Sequence, residues 1–189
     1  MLRPGEYLNE RHLCERLGIG RTPVHQAISQ LQQERFVDVI PRKGIIVRPV
    51  SIDEYLNLDE SRLILEVEAM RLVAKRITAA EVEELDGILE RAGAARQARN
   101  LHELLMLDRE FHFVLSRATR NPVLIGMLQS TYERSLRVWF ISLVDQNIES
   151  DRDEHDRLLG ALRKGDGDQA AEIMREHILS SRAHTMRQG

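Results

Sequence analysis

Residues 9–31 read Asn9-Glu10-Arg11-His12-Leu13-Cys14-Glu15-Arg16-Leu17-Gly18-Ile19-Gly20-Arg21-Thr22-Pro23-Val24-His25-Gln26-Ala27-Ile28-Ser29-Gln30-Leu31. Asn9 is an N-cap residue type ahead of a short helix carrying Leu13 and Leu17, and Gly18 is placed to end it. Thr22 is the expected cap of a second helix, with Pro23 at its first position, where the missing N–H costs nothing. Val24, Ala27, Ile28 and Leu31 recur at i, i+3, i+4 and i+7 and predict one buried face. The other face offers His25, Gln26, Ser29, Gln32 and Gln33. Downstream, Phe36-Val37-Asp38-Val39-Ile40 alternates as a strand does, Pro41-Arg42-Lys43-Gly44 is a turn, and Ile45-Ile46-Val47 returns. Helix, tight turn, helix and basic-tipped hairpin together describe a winged helix-turn-helix.

The rest of the chain has a different texture. Of its 189 residues, 42% are hydrophobic, 30% charged and 4% aromatic, a balance that favours helix and a sizeable core. Residues 1–50 hold four of the five prolines and carry eight Lys/Arg against five Asp/Glu, whereas residues 51–189 carry nineteen against twenty-five. A basic head, 1–50, is thus expected on an acidic helical body, 51–189. With Cys14 as the single cysteine, an internal disulfide and a cysteine-based zinc cluster are excluded. The apolar runs are too short to span a membrane and the N-terminus has no apolar signal region, so a cytoplasmic protein is expected.

A helix N-terminus presenting Arg21, Thr22, His25 and Gln26 can enter the major groove, where amide and guanidinium groups read base edges. Arg42 and Lys43 at the hairpin tip could reach phosphates or the minor groove. A protein-binding winged helix, or a merely solvated polar face, fits the same pattern.

The body reads as six helices. Ser51 with Glu54, Thr78 with Glu81, and Asn100 with Glu103 have capping-box spacing. Asn121-Pro122, Ser150 with Asp153, and Asp166 with Gln169 mark further starts, and Gly165 a stop. Leu56, Leu63, Val67, Met70, Ala74 and Ile77 line one side of the first body helix. Leu124, Met127, Leu128, Leu136, Trp139 and Phe140 line one side of the fourth. Short connections favour antiparallel neighbours.

On the third of these helices Asp108 and His112 stand at i and i+4 among Leu104, Phe111 and Leu115, so both project inward. His155 falls with Leu158, Leu159 and Leu162, and His177 with Ala170, Ile173 and Met174. An unpaired buried carboxylate is costly, and a divalent metal with one oxygen and three imidazole ligands would satisfy all four groups. Hydrogen-bonded core histidines are the other reading of the same spacing. His102 is expected in solvent, and His184 near a fraying terminus.

The runs Leu2-Arg3-Pro4-Gly5-Glu6, Leu17-Gly18-Ile19-Gly20-Arg21-Thr22-Pro23-Val24 and Pro41-Arg42-Lys43-Gly44 resemble the DNA-binding head of the GntR family. The resemblance implies that Arg11, Arg21, Thr22, His25, Gln26, Arg42, Lys43 and Gly44 face DNA. Gly20 stands where that family has a hydroxyl residue, His25 where it has Arg, and Gln26 where it has Glu, which changes charge and readout. Family members begin with a helix ahead of the Pro-Gly motif, so a head lacking its first helix is expected.

Asp108-x-x-x-His112, Glu154-His155 and Glu176-His177, with Arg62-x-x-Leu65-Glu66 ahead of them, resemble the FCD domain of the FadR subfamily. The order matches its metal-binding branch, and six helices its VanR-type variant. The fold implied is mainly α, a winged helix-turn-helix joined to an antiparallel six-helix FCD-type bundle. Implied too are a divalent ion (zinc, nickel, manganese or iron) on Asp108, His112, His155 and His177, and a small carboxylate effector with Arg62 or Arg137 completing its charge. A homodimer on palindromic operator DNA follows from the same resemblance. The alternatives are a head-truncated ligand-binding or oligomerisation module, and a metal-dependent hydrolase, for which no positioned general base is visible.

Overall fold

The computed structural model describes residues 4–41, 44–49, 51–143 and 152–186, without the side chains at 140–143, 152 and 184. Eight helices and three strands are present among them: β1 (Tyr7–Leu8), α1 (Glu10–Leu17), α2 (Arg21–Gln33), β2 (Val37–Ile40), β3 (Gly44–Val47), α3 (Ile52–Arg76), α4 (Ala79–Gln97), α5 (Leu101–Ala118), α6 (Pro122–Leu143), α7 (Arg152–Arg163) and α8 (Gly167–Met186). They divide into two units, Met1–Ile52 and Asp53–Gly189.

In the first unit Asn9 caps α1, its side chain accepting from the backbone of Arg11 and His12. Gly18 ends the helix in the left-handed region at φ 67, where a side chain would be strained. The second helix starts earlier than expected. Its N-cap is Gly20, with no side-chain cap, so Thr22 and Pro23 lie inside the first turn. The backbone leaves the tight turn at Gly20, which has the extended φ/ψ of a cap, before Thr22 can act as one.

Val24 and Ile28 are buried as expected, but Ala27 is exposed and Leu31 is 37% exposed. The buried stripe is narrower because α2 packs chiefly on Val37 and Ile45, with Leu8, Leu13 and Cys14 around them. The hairpin pairs Val37 with Val47 and Ile40 with Gly44, and β1 adds a third antiparallel strand on β3. That strand is two residues long, too short for alternation to reveal it. Arg42 and Lys43, assigned to the hairpin tip, lie outside the described residues.

The second unit is a six-helix bundle. Thr78 and Glu81 form the reciprocal capping box, Asn100 and Asn121 cap α5 and α6, and Asp166 accepts from Gln169 N at 2.9 Å. The Ser150 start lies outside the described residues. The core joins Val67, Met70 and Val73 of α3, Leu85 and Ile88 of α4, Phe111 and Leu115 of α5, Leu158 and Leu162 of α7, and Met174 and Ile178 of α8. Each such side chain contributes roughly 1.5–3 kcal/mol by burial. Arg120 locks the α5–α6 corner to α4 through a two-pronged pair with Glu81, at 2.7 and 2.8 Å.

Two stripes differ from their expected composition. On α6, Leu128, Leu136 and Trp139 are buried, but Met127 is 51% exposed; the Phe140 side chain is outside the description. On α3 the buried face includes Tyr55, Asp59, Arg62 and Glu66 as well as the apolar residues, while Leu56 and Leu63 are only half-buried. No helix among the described residues is long and apolar enough to cross a membrane.

Candidate metal centre and DNA-binding face

Three helices bring His112 (α5), His155 (α7) and His177 (α8) together. One ring nitrogen of each lies within 4.8 Å of the others, and all three residues are buried. Ring centroids are separated by 5.6 Å for His112–His155, 5.4 Å for His112–His177 and 4.7 Å for His155–His177. Asp108, one turn before His112, places Oδ1 3.4 Å from His155 Nε2. Its Oδ2 accepts a hydrogen bond from the Tyr132 hydroxyl of α6.

The surroundings orient the rings. His112 Nδ1 faces Glu66 Oε2 at 3.5 Å, and His177 Nδ1 lies 3.0 Å from Glu154 Oε2. A carboxylate at Nδ1 places the ring proton there and leaves the Nε2 lone pair for a cation. Among the described residues, the Nε2 atoms of His112 and His155 are buried and have no hydrogen-bond partner. Buried nitrogens left open in this way carry a desolvation cost unless something is bound. Burial, reinforced by the charge His177 can carry, pushes the His155 pKa well below its ordinary value, so the ring is neutral, as a metal ligand must be. Burial alone would raise Asp108, but the three imidazoles and Tyr132 outweigh it and hold the carboxyl low. Three imidazoles and one carboxylate form a donor set that suits a divalent transition ion.

Arg62 lies inside the bundle. It is 0% exposed, and Nε and Nη2 donate to Glu66 at 2.6 and 3.3 Å. Its guanidinium lies 4.7 Å from the Trp139 ring. Burial would raise the Glu66 carboxyl; the Arg62 charge and the His112 ring reverse this and hold it low. A chain of contacts therefore runs from α3 through Glu66 to the histidines. Arg137 is half-buried on α6.

Sequence reasoning brought Asp108 and the three histidines to one place but assigned no role to Glu66, Glu154 or Tyr132. The i, i+4 spacing of Arg62 and Glu66 was a usable signal. Tyr132 stands four residues from both Leu128 and Leu136, a spacing that does not distinguish it from a core residue. His102 is exposed, and the His184 side chain is outside the description.

In the head, Arg11, Arg21, Thr22, His25 and Gln26 are all exposed along α1 and the start of α2. Arg11 pairs with Glu15 at 2.9 Å, and His25 Nδ1 lies 2.9 Å from Glu10 Oε1. Gly44 opens β3 at φ 105, and a Cβ there would stand 3.1 Å from Leu8 O. That position belongs to glycine on two counts.

Residues 58–180 match the FCD domain family, and residues 1–47 match the family described as bacterial regulatory proteins, gntR family. The chain is 32% identical over 178 residues to the Nta operon transcriptional regulator of Aminobacter aminovorans, spanning 93% of this chain and 82% of that one. It is 24% identical to the HTH-type transcriptional regulator McbR of Escherichia coli, spanning 94% and 83%. The solved structure of E. coli McbR/YncC superposes with a TM-score of 0.89 at 23% identity, covering 99% of this chain and 90% of that one, which shows the fold. The two family matches account for the winged head and the helical bundle alike, and those relatives are transcriptional regulators rather than enzymes: the chain belongs to the GntR family of bacterial DNA-binding transcriptional regulators and carries an FCD domain.

Proposed function

We propose that operator binding by this regulator is tuned by a small carboxylate that binds at a divalent metal held by Asp108, His112, His155 and His177. The observation that carries the reading is the pair of buried Nε2 atoms, on His112 and His155, that have no hydrogen-bond partner among the described residues. The neighbouring carboxylates Glu66 and Glu154 supply the ring orientation that ligation requires. When bound, the ion supplies a Lewis-acidic centre with positions left for a carboxylate oxygen. Asp108 stays ionised beside it, Tyr132 holds Asp108 by hydrogen bond, and the apolar rings around the site exclude water.

Arg21, Thr22, His25 and Gln26 present base-reading and phosphate-reading groups at one helix N-terminus, with Arg11 on α1 and Gly44 at the start of β3, and Arg42 and Lys43 complete the proposed DNA-contacting set. The protein acts in the cytoplasm as a homodimer, because a palindromic site needs two recognition helices about one DNA turn apart. The carboxylate changes operator occupancy by binding one packing of the bundle better than the other, a coupling of about 1–3 kcal/mol. Fluorescence anisotropy on a duplex from upstream of the gene tests this. Binding is expected to weaken with salt and to shift at least fivefold on adding an organic acid, and chelation should abolish the shift. A shift that persists after chelation would refute the metal's part.

A further inference from the structure

The two carboxylate oxygens of Asp108 have different neighbours. Oδ1 lies 3.4 Å from His155 Nε2, on the side of the imidazoles, whereas Oδ2 accepts a hydrogen bond from the Tyr132 hydroxyl of α6. That hydroxyl is fixed by the packing of its ring. Tyr132 is 2% exposed; its ring stacks on His112 at 4.5 Å and meets Phe113 and Trp139 edge-on at 6.3 and 5.5 Å. Aromatic neighbours on α5 and α6 hold the hydroxyl in place, and Asp108 Oδ2 is held toward α6 with it. Phe111, by contrast, meets the centre only through ring contacts with His112 and His155.

A carboxylate beside a cation offers either one oxygen or two. With Oδ2 engaged by Tyr132, Asp108 presents Oδ1 alone to the histidines. The centre is also least enclosed at this residue: 21% of the Asp108 side-chain surface is exposed, against 8% or less for each histidine. A small anion therefore arrives alongside Asp108, where its second oxygen would otherwise turn in. The hydrogen bond on Oδ2 also draws part of the aspartate charge away from that anion. A cavity adjoins the same tyrosine, lined with it by Glu66, Met70, His112, Leu128 and Gln129. It has room for roughly one or two water-sized groups, so the smallest carboxylates are the fitting probes.

We propose that the Tyr132 hydroxyl keeps Asp108 a one-oxygen ligand and so reserves beside it the place that an effector carboxylate takes. Tyr132 is a positioning residue, acting on the effector through Asp108. This rests on the reading that a divalent ion and a small carboxylate bind at the three histidines and Asp108.

The test uses the full chain loaded with cobalt(II), whose visible absorption weakens as its ligands increase in number, titrated with acetate in a buffer free of other carboxylates. In the wild type, acetate is expected to weaken the absorption saturably. Tyr132→Phe keeps the ring and its stacking on His112 and removes only the hydroxyl. It should retain one equivalent of cobalt, which shows that its site has assembled. Its absorption without acetate should already be weakened, because Asp108 is free to supply both oxygens, and its affinity for acetate should fall at least tenfold. The proposal is overturned if the variant binds acetate as tightly as the wild type, if its acetate-free spectrum is unchanged, or if it loses cobalt, since Tyr132 would then serve to retain the ion. Wild-type chain that takes up no cobalt defeats the metal reading, and cobalt-loaded wild type that is indifferent to acetate defeats the carboxylate reading. Either result takes the proposal with it.

Discussion

Glu66→Ala is the substitution that probes the interior most sharply. Glu66 is 5% exposed and Arg62 is 0% exposed, and the two share hydrogen bonds at 2.6 and 3.3 Å. Removing the carboxylate strips a fully buried guanidinium of its hydrogen-bonded counter-charge. Breaking a buried pair in this way costs about 3–5 kcal/mol, or roughly 10 °C in Tm for a protein of this size. Replacing both partners with apolar groups, Arg62→Met with Glu66→Leu, removes the desolvation of two charges together with their attraction. The double variant should therefore be more stable than Glu66→Ala and lie nearer the wild type. Thermal unfolding followed by circular dichroism, on chelator-treated protein, reads both quantities. A loss below about 1 kcal/mol in Glu66→Ala, or a double variant less stable than the single one, would refute the assignment of a desolvated pair. Glu66→Ala should also weaken metal binding by about 10- to 100-fold, since Glu66 faces His112 Nδ1.

Arg21→Ala should weaken operator binding by about 1–3 kcal/mol and reduce its salt slope by about one if the contact is to phosphate, with no change in Tm, as measured by anisotropy across a salt series. The depressed pKa of His155 has a defined sign. Between its folded value and the ordinary 6.5, the unfolded chain binds the proton and the folded chain does not, so stability falls as pH drops through this window. The slope is at most about 1.4 kcal/mol per pH unit. Urea unfolding of chelator-treated protein at pH 7.5, 6.5 and 5.5 should show the loss, and His155→Gln should flatten it. The carboxylates held low, Asp108, Glu66 and Glu154, lose their contribution only below their ordinary carboxylate range, so they do not obscure this window.

The parts of the molecule that were legible in the sequence are those where one residue type has one physical use. Asn9, Gly18 and Thr78 mark helix ends because caps and left-handed turns accept few residues. Asp108, His112, His155 and His177 stood out because polar groups interrupted apolar stripes at helical spacing. Thr22 misled because Gly20 can also cap, and the tight turn preceding α2 decided between them. Ala27 and Leu31 misled because periodicity names a face without saying how wide its partner surface is. Spacing alone gives Glu66 and Asp59 no interior role, because a charged side chain is ordinarily exposed; both are buried on α3.

The proposed sensing role requires that the three imidazoles and Asp108 hold a metal ion. Inductively coupled plasma mass spectrometry of chain loaded with zinc and then desalted measures this directly. One equivalent of bound metal per chain is expected in the wild type, with little or none in His112→Ala, His155→Ala or Asp108→Ala. Wild-type protein that retains no metal, or variants that retain the full equivalent, would contradict it.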